Sequence, residues 1–112
     1  MTNFLQETLM AIRGAGHTLE DIGFIGSRSG YSCTWDEFLV LADFEYDSGY
    51  GAQWVADDLV IRFSNGGWLR RDEYDGSENW TYVSPWNPPR NCKPIKTLMN
   101  GKMWASLEEM NR

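Results

Sequence analysis

The stretch that decides the fold reads Leu59-Val60-Ile61-Arg62-Phe63-Ser64-Asn65-Gly66-Gly67-Trp68-Leu69-Arg70-Arg71-Asp72-Glu73-Tyr74-Asp75-Gly76-Ser77-Glu78-Asn79-Trp80-Thr81-Tyr82-Val83. From Asp58 onward the hydrophobic period is two residues, which is typical of a strand. Asn65-Gly66 and Asp75-Gly76 are dipeptides that favour tight hairpin turns. The stretch therefore predicts a three-strand antiparallel meander over about 58–83.

The predicted register of this meander assigns aromatic side chains to the core. A tight turn at Asn65-Gly66 places Trp68 across from Phe63 on the core-facing side of the sheet. A bulged second turn would bring Trp80 and Tyr82 to the same side. We therefore expect all four aromatic residues to pack in the core.

Helix signals lie on both sides of the meander. A first helix is predicted from about Asn3 to Arg13, and Ser106 begins a short last one. Thr34 and Glu37 form a capping box, and the helix that they start is expected to run to about Phe44 or Tyr46. The fold class is therefore α+β, with the meander packed against two to three short helices. Residues 22–26 read as a buried strand, and 95–104 as a candidate extension of the sheet.

Composition indicates one domain over residues 1–112. The chain is 42% hydrophobic and 14% aromatic, which argues against disorder. It has no apolar run of about 20 residues and no basic, apolar leader at its N-terminus, so we expect a cytoplasmic location. Cys33 and Cys92 are far apart in the sequence and are predicted to be free thiols, with a disulfide as the alternative.

The negative charge of the chain is concentrated in one block, residues 29–61. This block contains no Lys or Arg, and it accounts for the whole formal net charge of −6. Its carboxylates are Asp36, Glu37, Asp43, Glu45, Asp47, Asp57 and Asp58. Such a charge disfavours a direct nucleic-acid binder, which needs clustered Lys and Arg, and it permits a basic protein partner.

Three of these acids are not explained by helix capping or turns. Asp43, Glu45 and Asp47 are predicted to gather at a helix C-terminus, where the helix dipole disfavours negative charge. One interpretation is internal neutralisation by Arg70, Arg71 or the basic tail of Arg90, Lys93, Lys96 and Lys102. The other is an external basic partner, with nearby aromatic residues as anchors. The predicted binding residues are Asp43, Glu45, Tyr46, Asp47, Tyr50, Trp54, Asp57 and Asp58.

Catalytic and metal signals are weak. His17 is the one histidine, and it lies in a Gly-rich turn with nothing that marks it as a base. Asp43 and Asp47, or Asp72, Asp75 and Glu78, suggest a carboxylate- or divalent-metal-dependent hydrolase as an alternative function. We expect no catalytic residue, no metal and no cofactor. In the proline-rich segment 84–94, Trp86 is expected to close over the core.

Several segments resemble small uncharacterised acidic proteins encoded by tailed bacteriophages. They are Cys33-Thr34-Trp35-Asp36-Glu37-Phe38, Ala42-Asp43-Phe44-Glu45-Tyr46-Asp47-Ser48-Gly49-Tyr50-Gly51-Ala52-Gln53, Asp58-Leu59-Val60-Ile61 and Glu73-Tyr74-Asp75-Gly76-Ser77-Glu78. The resemblance implies a viral protein that acts in the host cytoplasm and binds a host protein as an inhibitor or modulator. Defence enzymes that handle nucleic acid are among the targets it implies. A self-associating structural or assembly protein remains a further alternative.

Overall fold

The computed structural model describes residues 1–49, 53–86, 89–99, 101 and 103–112. The strands in these ranges are β1 (Thr2–Asn3), β2 (Ile22–Gly26), β3 (Glu45–Tyr46), β4 (Val60–Phe63), β5 (Trp68–Tyr74) and β6 (Ser77–Val83). The helices are α1 (Phe4–Gly14), α2 (Trp35–Leu41) and α3 (Leu107–Met110), with a 3-10 turn at Leu19–Asp21. The predicted mixture of helices and antiparallel sheet is confirmed. None of the described helices is long and apolar enough to span a membrane.

The larger sheet has four antiparallel strands in the order β2-β4-β5-β6. The three-strand prediction is therefore incomplete, because β2 pairs beside β4. A bulge between Ile22 and Phe24 lets Ile22 pair with Phe63 while Phe24 pairs with Arg62. The candidate extension at 95–104 was wrong for the part of it that the structure describes, where no strand is present. A second, two-stranded sheet joins β1 to β3.

The β4–β5 hairpin is longer than the predicted turn by one residue. Arg62 pairs with Trp68, and the Phe63 amide donates to the Gly67 carbonyl at 2.8 Å. Gly66 has φ +94°, which suits glycine in this loop. Because sheet faces alternate residue by residue, the extra residue moves Trp68 to the outer face and puts Leu69 opposite Ile61. The prediction that Trp68 pairs with Phe63 is therefore wrong.

The core-facing side of the sheet carries the row Ile25, Ile61, Leu69 and Tyr82. The first three of these side chains are buried, and Tyr82 packs against the core. Trp80 packs there too, as predicted, although the second turn has two residues and no bulge, because Tyr74 pairs with Ser77. The meander thus supplies one wall of the core.

Helix α1 closes the core from the other side. The Asn3 side chain caps it by accepting from the Gln6 amide at 2.9 Å. Its buried stripe is Phe4, Thr8 and Ile12, spaced four residues apart. The buried Thr8 hydroxyl donates to the Phe4 carbonyl and accepts from the Trp80 indole at 2.9 Å. This pair of bonds ties α1 to β6.

Helix α2 begins as predicted and ends early. Thr34 accepts from the Glu37 amide at 3.2 Å, and the Glu37 carboxylate accepts from the Thr34 amide at 3.0 Å, which completes the capping box. The helix stops at Leu41 because the next segment pairs elsewhere: the Phe4 amide donates to the Phe44 carbonyl, and β3 joins β1. The expected continuation to Phe44 or Tyr46 is therefore wrong.

The tail differs from its prediction at Trp86. This side chain is 80% exposed, so it does not close over the core. The short helix α3 forms with Ser106 as its N-cap, and Asn111 accepts from the backbone amides of Lys96 and Thr97. Cys33 and Cys92 are both free thiols.

Candidate functional site

The acids from Asp43 to Asp47 lie on the connection that follows α2 and on a short strand. Asp43 follows α2, Glu45 is on β3, and Asp47 comes directly after β3. All three carboxylates are exposed. The expected repulsion by a helix C-terminus therefore does not apply to Glu45 and Asp47, whereas Asp43 lies directly after Ala42, the C-cap of α2. The clustering of the three acids follows from sequence proximity and the outward face of β3.

Tyr46 is buried, which corrects its prediction as a surface anchor. It alternates with Glu45 along β3, so its ring points inward while Glu45 faces solvent. Its hydroxyl donates to the Glu7 carboxylate at 2.7 Å and accepts from Arg71 at 3.1 Å. Burial, then the hydrogen bond to Glu7, raises the pKa of Tyr46 to about 12, although Arg71 acts in the opposite direction.

Arg71 is the cation at the centre of this polar cluster. Its buried guanidinium lies 3.1 Å from Glu7 and 3.0 Å from Glu78. It also stacks against the rings of Phe4 at 5.1 Å and Trp80 at 4.9 Å. Burial opposes its charge, but the bonds with Tyr46 and Glu78 and the charge of Glu7 raise the pKa of Arg71. We call Glu7, Tyr46, Arg71 and Glu78 the buried charge cluster.

Glu78 connects the buried charge cluster to the segment that contains Trp54 and Val55. Its carboxylate accepts from the backbone amides of Trp54 at 2.7 Å and Val55 at 3.3 Å. The same side chain bonds Arg71, so its two oxygens satisfy three donors. Glu78 therefore fixes the position of the backbone that carries Trp54.

Trp54 borders an apolar groove with a volume of about 270 Å³. The side chains of Leu41 and Trp54 at its border are 65% and 66% exposed, and that of Phe44 is 40% exposed. Its lining comes from α1, the residue that precedes the N-cap of α2, α2 itself and the segments that follow α2. It consists of Phe4, Cys33, Phe38, Leu41, Ala42, Phe44, Trp54, Val55, Ala56 and Leu59. This apolar groove is a concave surface of the kind that accepts a partner's apolar side chain.

Exposed acids follow the same segments that line the groove. Asp43 separates the lining residues Ala42 and Phe44, and Asp57 and Asp58 separate Ala56 from Leu59. Within the described ranges, no Lys, Arg or His nitrogen lies within 4.0 Å of the carboxylates that the sequence predicted as binding residues. Those carboxylates are Asp43, Glu45, Asp47, Asp57 and Asp58.

The two arginines of β5 do not neutralise the acids of residues 43–47 in the structure. Arg70 pairs with Asp72 at 3.6 Å, and Arg71 pairs with Glu7 and Glu78. Asp43 instead accepts from the side-chain amide of Asn3 at 3.2 Å, and Asp47 accepts from the backbone amide of Gly49 at 3.0 Å. Two further residues belong to the interpretations by internal neutralisation and by an external partner, namely Lys102 and Tyr50. Both lie outside the residues that the structure describes.

The structure thus brings together part of the predicted surface and adds residues to it. Trp54 is exposed as predicted, whereas Leu41 and Phe44 were missed. A signal for Leu41 is present in the run Phe38-Leu39-Val40-Leu41-Ala42, which has more apolar residues than one face of a short helix can bury. Leu39, Val40 and Leu41 are all exposed on α2.

Of the carboxylates proposed for a hydrolase, Asp72, Asp75 and Glu78 do not converge. Asp72 pairs with Asn79 on the outer face of the sheet, while Glu78 is buried with Arg71 on the core side. Asp75 occupies the turn between them with φ 52°. Over the described part of the chain, no group of three His, Cys, Asp or Glu residues could hold a metal ion.

His17 has a packed environment. Its ring stacks on Phe63 at 3.9 Å, and its nitrogens lie 3.0 Å from Asp21 and 3.3 Å from the Tyr82 hydroxyl. Bonds from the Thr18 backbone and from His17 lower the pKa of Asp21. These contacts join the end of α1 to the sheet, so they account for His17 through packing.

The raised pKa of Tyr46 gives a testable pH dependence. The folded state holds the phenol proton more tightly than the unfolded chain, whose tyrosine pKa is near 10.0. The stabilisation is therefore complete below pH 10 and is lost as the pH rises toward 12. We expect Tyr46→Phe to flatten the fall in the free energy of unfolding across this range, measured by urea titration at several pH values. Tyr74→Phe, at an exposed position, is the control, and an unchanged slope in Tyr46→Phe would contradict the assignment.

No protein-family model, curated protein or solved structure matches the chain. The resemblance to phage-encoded proteins therefore stays a prediction. The observations that bear on function are those of the molecule itself: an apolar groove, exposed acids beside it, and a buried charge cluster that positions Trp54.

Proposed function

We propose that this protein binds a basic segment of another protein in the apolar groove. An apolar side chain of the partner would enter between Leu41, Phe44 and Trp54. Lysine or arginine residues that flank that side chain would meet the exposed acids of residues 43–47 and 57–58. One observation carries the proposal: exposed apolar side chains line the groove, and the carboxylates beside it have no basic partner among the residues that the structure describes.

Charge and apolar contact would have separate roles in this complex. Burial of Trp54 and Phe44 would supply most of the affinity, because aromatic side chains in desolvated pockets dominate many interfaces. The acids would speed association with a basic surface and make it sensitive to salt. Binding would therefore be directed by charge and retained by apolar burial.

The resemblance to phage proteins extends this proposal to a class of partner. A host protein that handles nucleic acid presents Lys and Arg where it contacts phosphates. An acidic protein that covers such a surface would compete with the nucleic acid and act as an inhibitor or modulator. The proposed partner is thus a basic, host-encoded protein, and the proposed place of action is the host cytoplasm.

The test compares Trp54→Ala and the triple variant Asp43→Asn/Glu45→Gln/Asp47→Asn with the wild type. Tagged proteins are used to capture partners from bacterial lysate at low and high salt, and affinity for the captured protein is then measured by calorimetry. We expect Trp54→Ala to weaken binding by about 30-fold or more, which corresponds to about 2 kcal/mol. The triple variant is expected to slow association and to reduce the salt dependence.

Matched controls separate the groove from general properties of the chain. Trp86→Ala removes another exposed tryptophan, and Glu20→Gln/Glu108→Gln/Glu109→Gln removes the same charge elsewhere; both are expected to bind as the wild type does. Binding that is independent of salt, or that survives both test variants, would overturn the proposal. Self-association that Trp54→Ala abolishes would instead assign the groove to a second copy of the chain.

A further inference from the structure

The outer face of the four-stranded sheet carries a row of large side chains across all its strands. Phe24 pairs with Arg62, Arg62 with Trp68, and Trp68 with Val83. Neighbours in such a row have Cβ atoms about 5 Å apart, so the three side chains on β2, β4 and β5 are in reach of one another. An arginine therefore stands between two aromatic rings on this face.

This row forms part of an open cleft with a volume of about 640 Å³. The volume falls within the range of about 300–1,000 Å³ that is usual for small-ligand sites. The cleft is lined by Gly23, Phe24, Ser27, Arg28, Val60, Arg62, Phe63, Ser64, Gly66 and Trp68. Two arginines and no carboxylate line it, although the chain has 16 acidic and 10 basic residues.

The two cleft arginines differ from those of β5. Among the residues that the structure describes, no carboxylate oxygen lies within 4.0 Å of Arg28 or Arg62, whereas Arg70 and Arg71 are both in ion pairs. Both arginines are exposed residues that line the cleft, and the nearest acids to Arg28 on this face, Asp57 and Asp58, line an adjoining groove and not the cleft itself. A ligand that suits them carries a negative charge with several acceptor oxygens, as a phosphate does.

We propose that this cleft binds a nucleotide, with the phosphate on Arg28 and Arg62 and the base stacked on Trp68. The aromatic residues favour a planar ring over a bare anion, because every nucleobase has a face that stacks on an aromatic side chain. The exposed hydroxyl group of Ser64 adds a donor for sugar or phosphate oxygens.

A free nucleotide fits the surroundings of the cleft better than a nucleic-acid strand does. Asp57 and Asp58 line an adjoining groove together with Arg28 and Arg70. A long polyanion that extended beyond Arg28 would meet these carboxylates, while a single nucleotide would not need to. The site is separate from the apolar groove and does not depend on the proposed protein-binding function.

The test is titration of the protein with AMP, GMP, CMP and UMP by calorimetry, with amide chemical shifts as a second readout. We expect saturable binding of at least one nucleotide, with shifts at Phe24, Arg62 and Trp68. Arg62→Gln and Arg28→Gln are each expected to weaken it about tenfold or more, since each removes charge-assisted hydrogen bonds. Trp68→Leu is expected to weaken it through lost stacking.

Control variants and further ligands test whether the cleft recognises both the phosphate and the base of a nucleotide. Arg13→Gln removes an exposed arginine from α1, outside the cleft, and is expected to leave binding unchanged. Inorganic phosphate and the free nucleosides are each expected to bind more weakly than the nucleotide. The proposal is overturned if no nucleotide binds, or if folded Arg62→Gln and Arg28→Gln bind as the wild type does. Tighter binding of a single-stranded hexanucleotide than of any nucleotide would assign the cleft to a nucleic-acid strand and overturn it too.

Discussion

Replacement of Arg71 by leucine is expected to lower the free energy of unfolding by about 3–5 kcal/mol. The substitution leaves Glu7 and Glu78 without the buried cation that both contact, and Glu78 is itself buried. A carboxylate that loses its cation in such a site keeps a large part of its desolvation cost, because the remaining neutral donors, such as the Trp54 and Val55 amides at Glu78, do not balance its charge. The measurement is urea unfolding followed by tryptophan fluorescence at neutral pH.

Two further variants show whether the loss comes from the unpaired charge. Arg70→Leu, one position away on the outer face, removes an exposed pair with Asp72 and is expected to cost less than about 1 kcal/mol. The double variant Arg71→Leu/Glu78→Gln is expected to be more stable than Arg71→Leu alone, because it removes one buried charge. A loss in Arg71→Leu no larger than that in Arg70→Leu would contradict the role of the buried charge cluster.

Replacement of Phe4 by alanine is expected to cost about 3–5 kcal/mol of stability. Phe4 is 2% exposed, and its ring stacks on Phe44 at 5.3 Å and on Trp80 at 5.8 Å. It also contacts the guanidinium of Arg71 at 5.1 Å. Alanine would therefore leave a cavity between α1, β3 and β6, and the surrounding rings cannot fill it without breaking their own contacts.

The control for Phe4→Ala is Phe24→Ala, at a half-exposed position on the outer face of the sheet. It removes the same atoms from a site that solvent already reaches, so we expect a loss of about 1 kcal/mol or less. Thermal unfolding monitored by circular dichroism compares the two variants. Equal losses would show that the ring of Phe4 is not the central contact that the structure indicates.

Local signals predicted the elements of this fold whose cause is local. The capping box of Thr34 and Glu37, the cap at Ser106 and the positions of the two hairpin turns, though not their exact lengths, all depend on residues a few positions apart. The end of α2 was not predictable in this way. Ala42-Asp43 contains no helix breaker, and the helix stops because Phe44 and Glu45–Tyr46 bond to the N-terminus of the chain.

The candidate site also has one part that local sequence could predict and another that depends on distant contacts. Exposed acids and Trp54 could be recognised from composition and pattern, because surface charge needs no tertiary information. The burial of Tyr46 could not, since it depends on contacts with Glu7 and Arg71 that lie far away in the sequence. The same holds for the apolar groove, whose lining comes from distant segments.

The length of the loop in the β4–β5 hairpin decides which side chains of β5 face the core. Phe63 to Gly67 connect Arg62 to Trp68, and this count turns Arg71 inward and Trp68 outward. A loop shorter or longer by a single residue would exchange the two faces of β5, and with them the charged interior and the aromatic exterior. A single-residue insertion or deletion in this loop is therefore expected to disrupt the core unless a bulge absorbs it, as the bulge between Ile22 and Phe24 does in β2, whereas a change of two residues keeps the faces of β5.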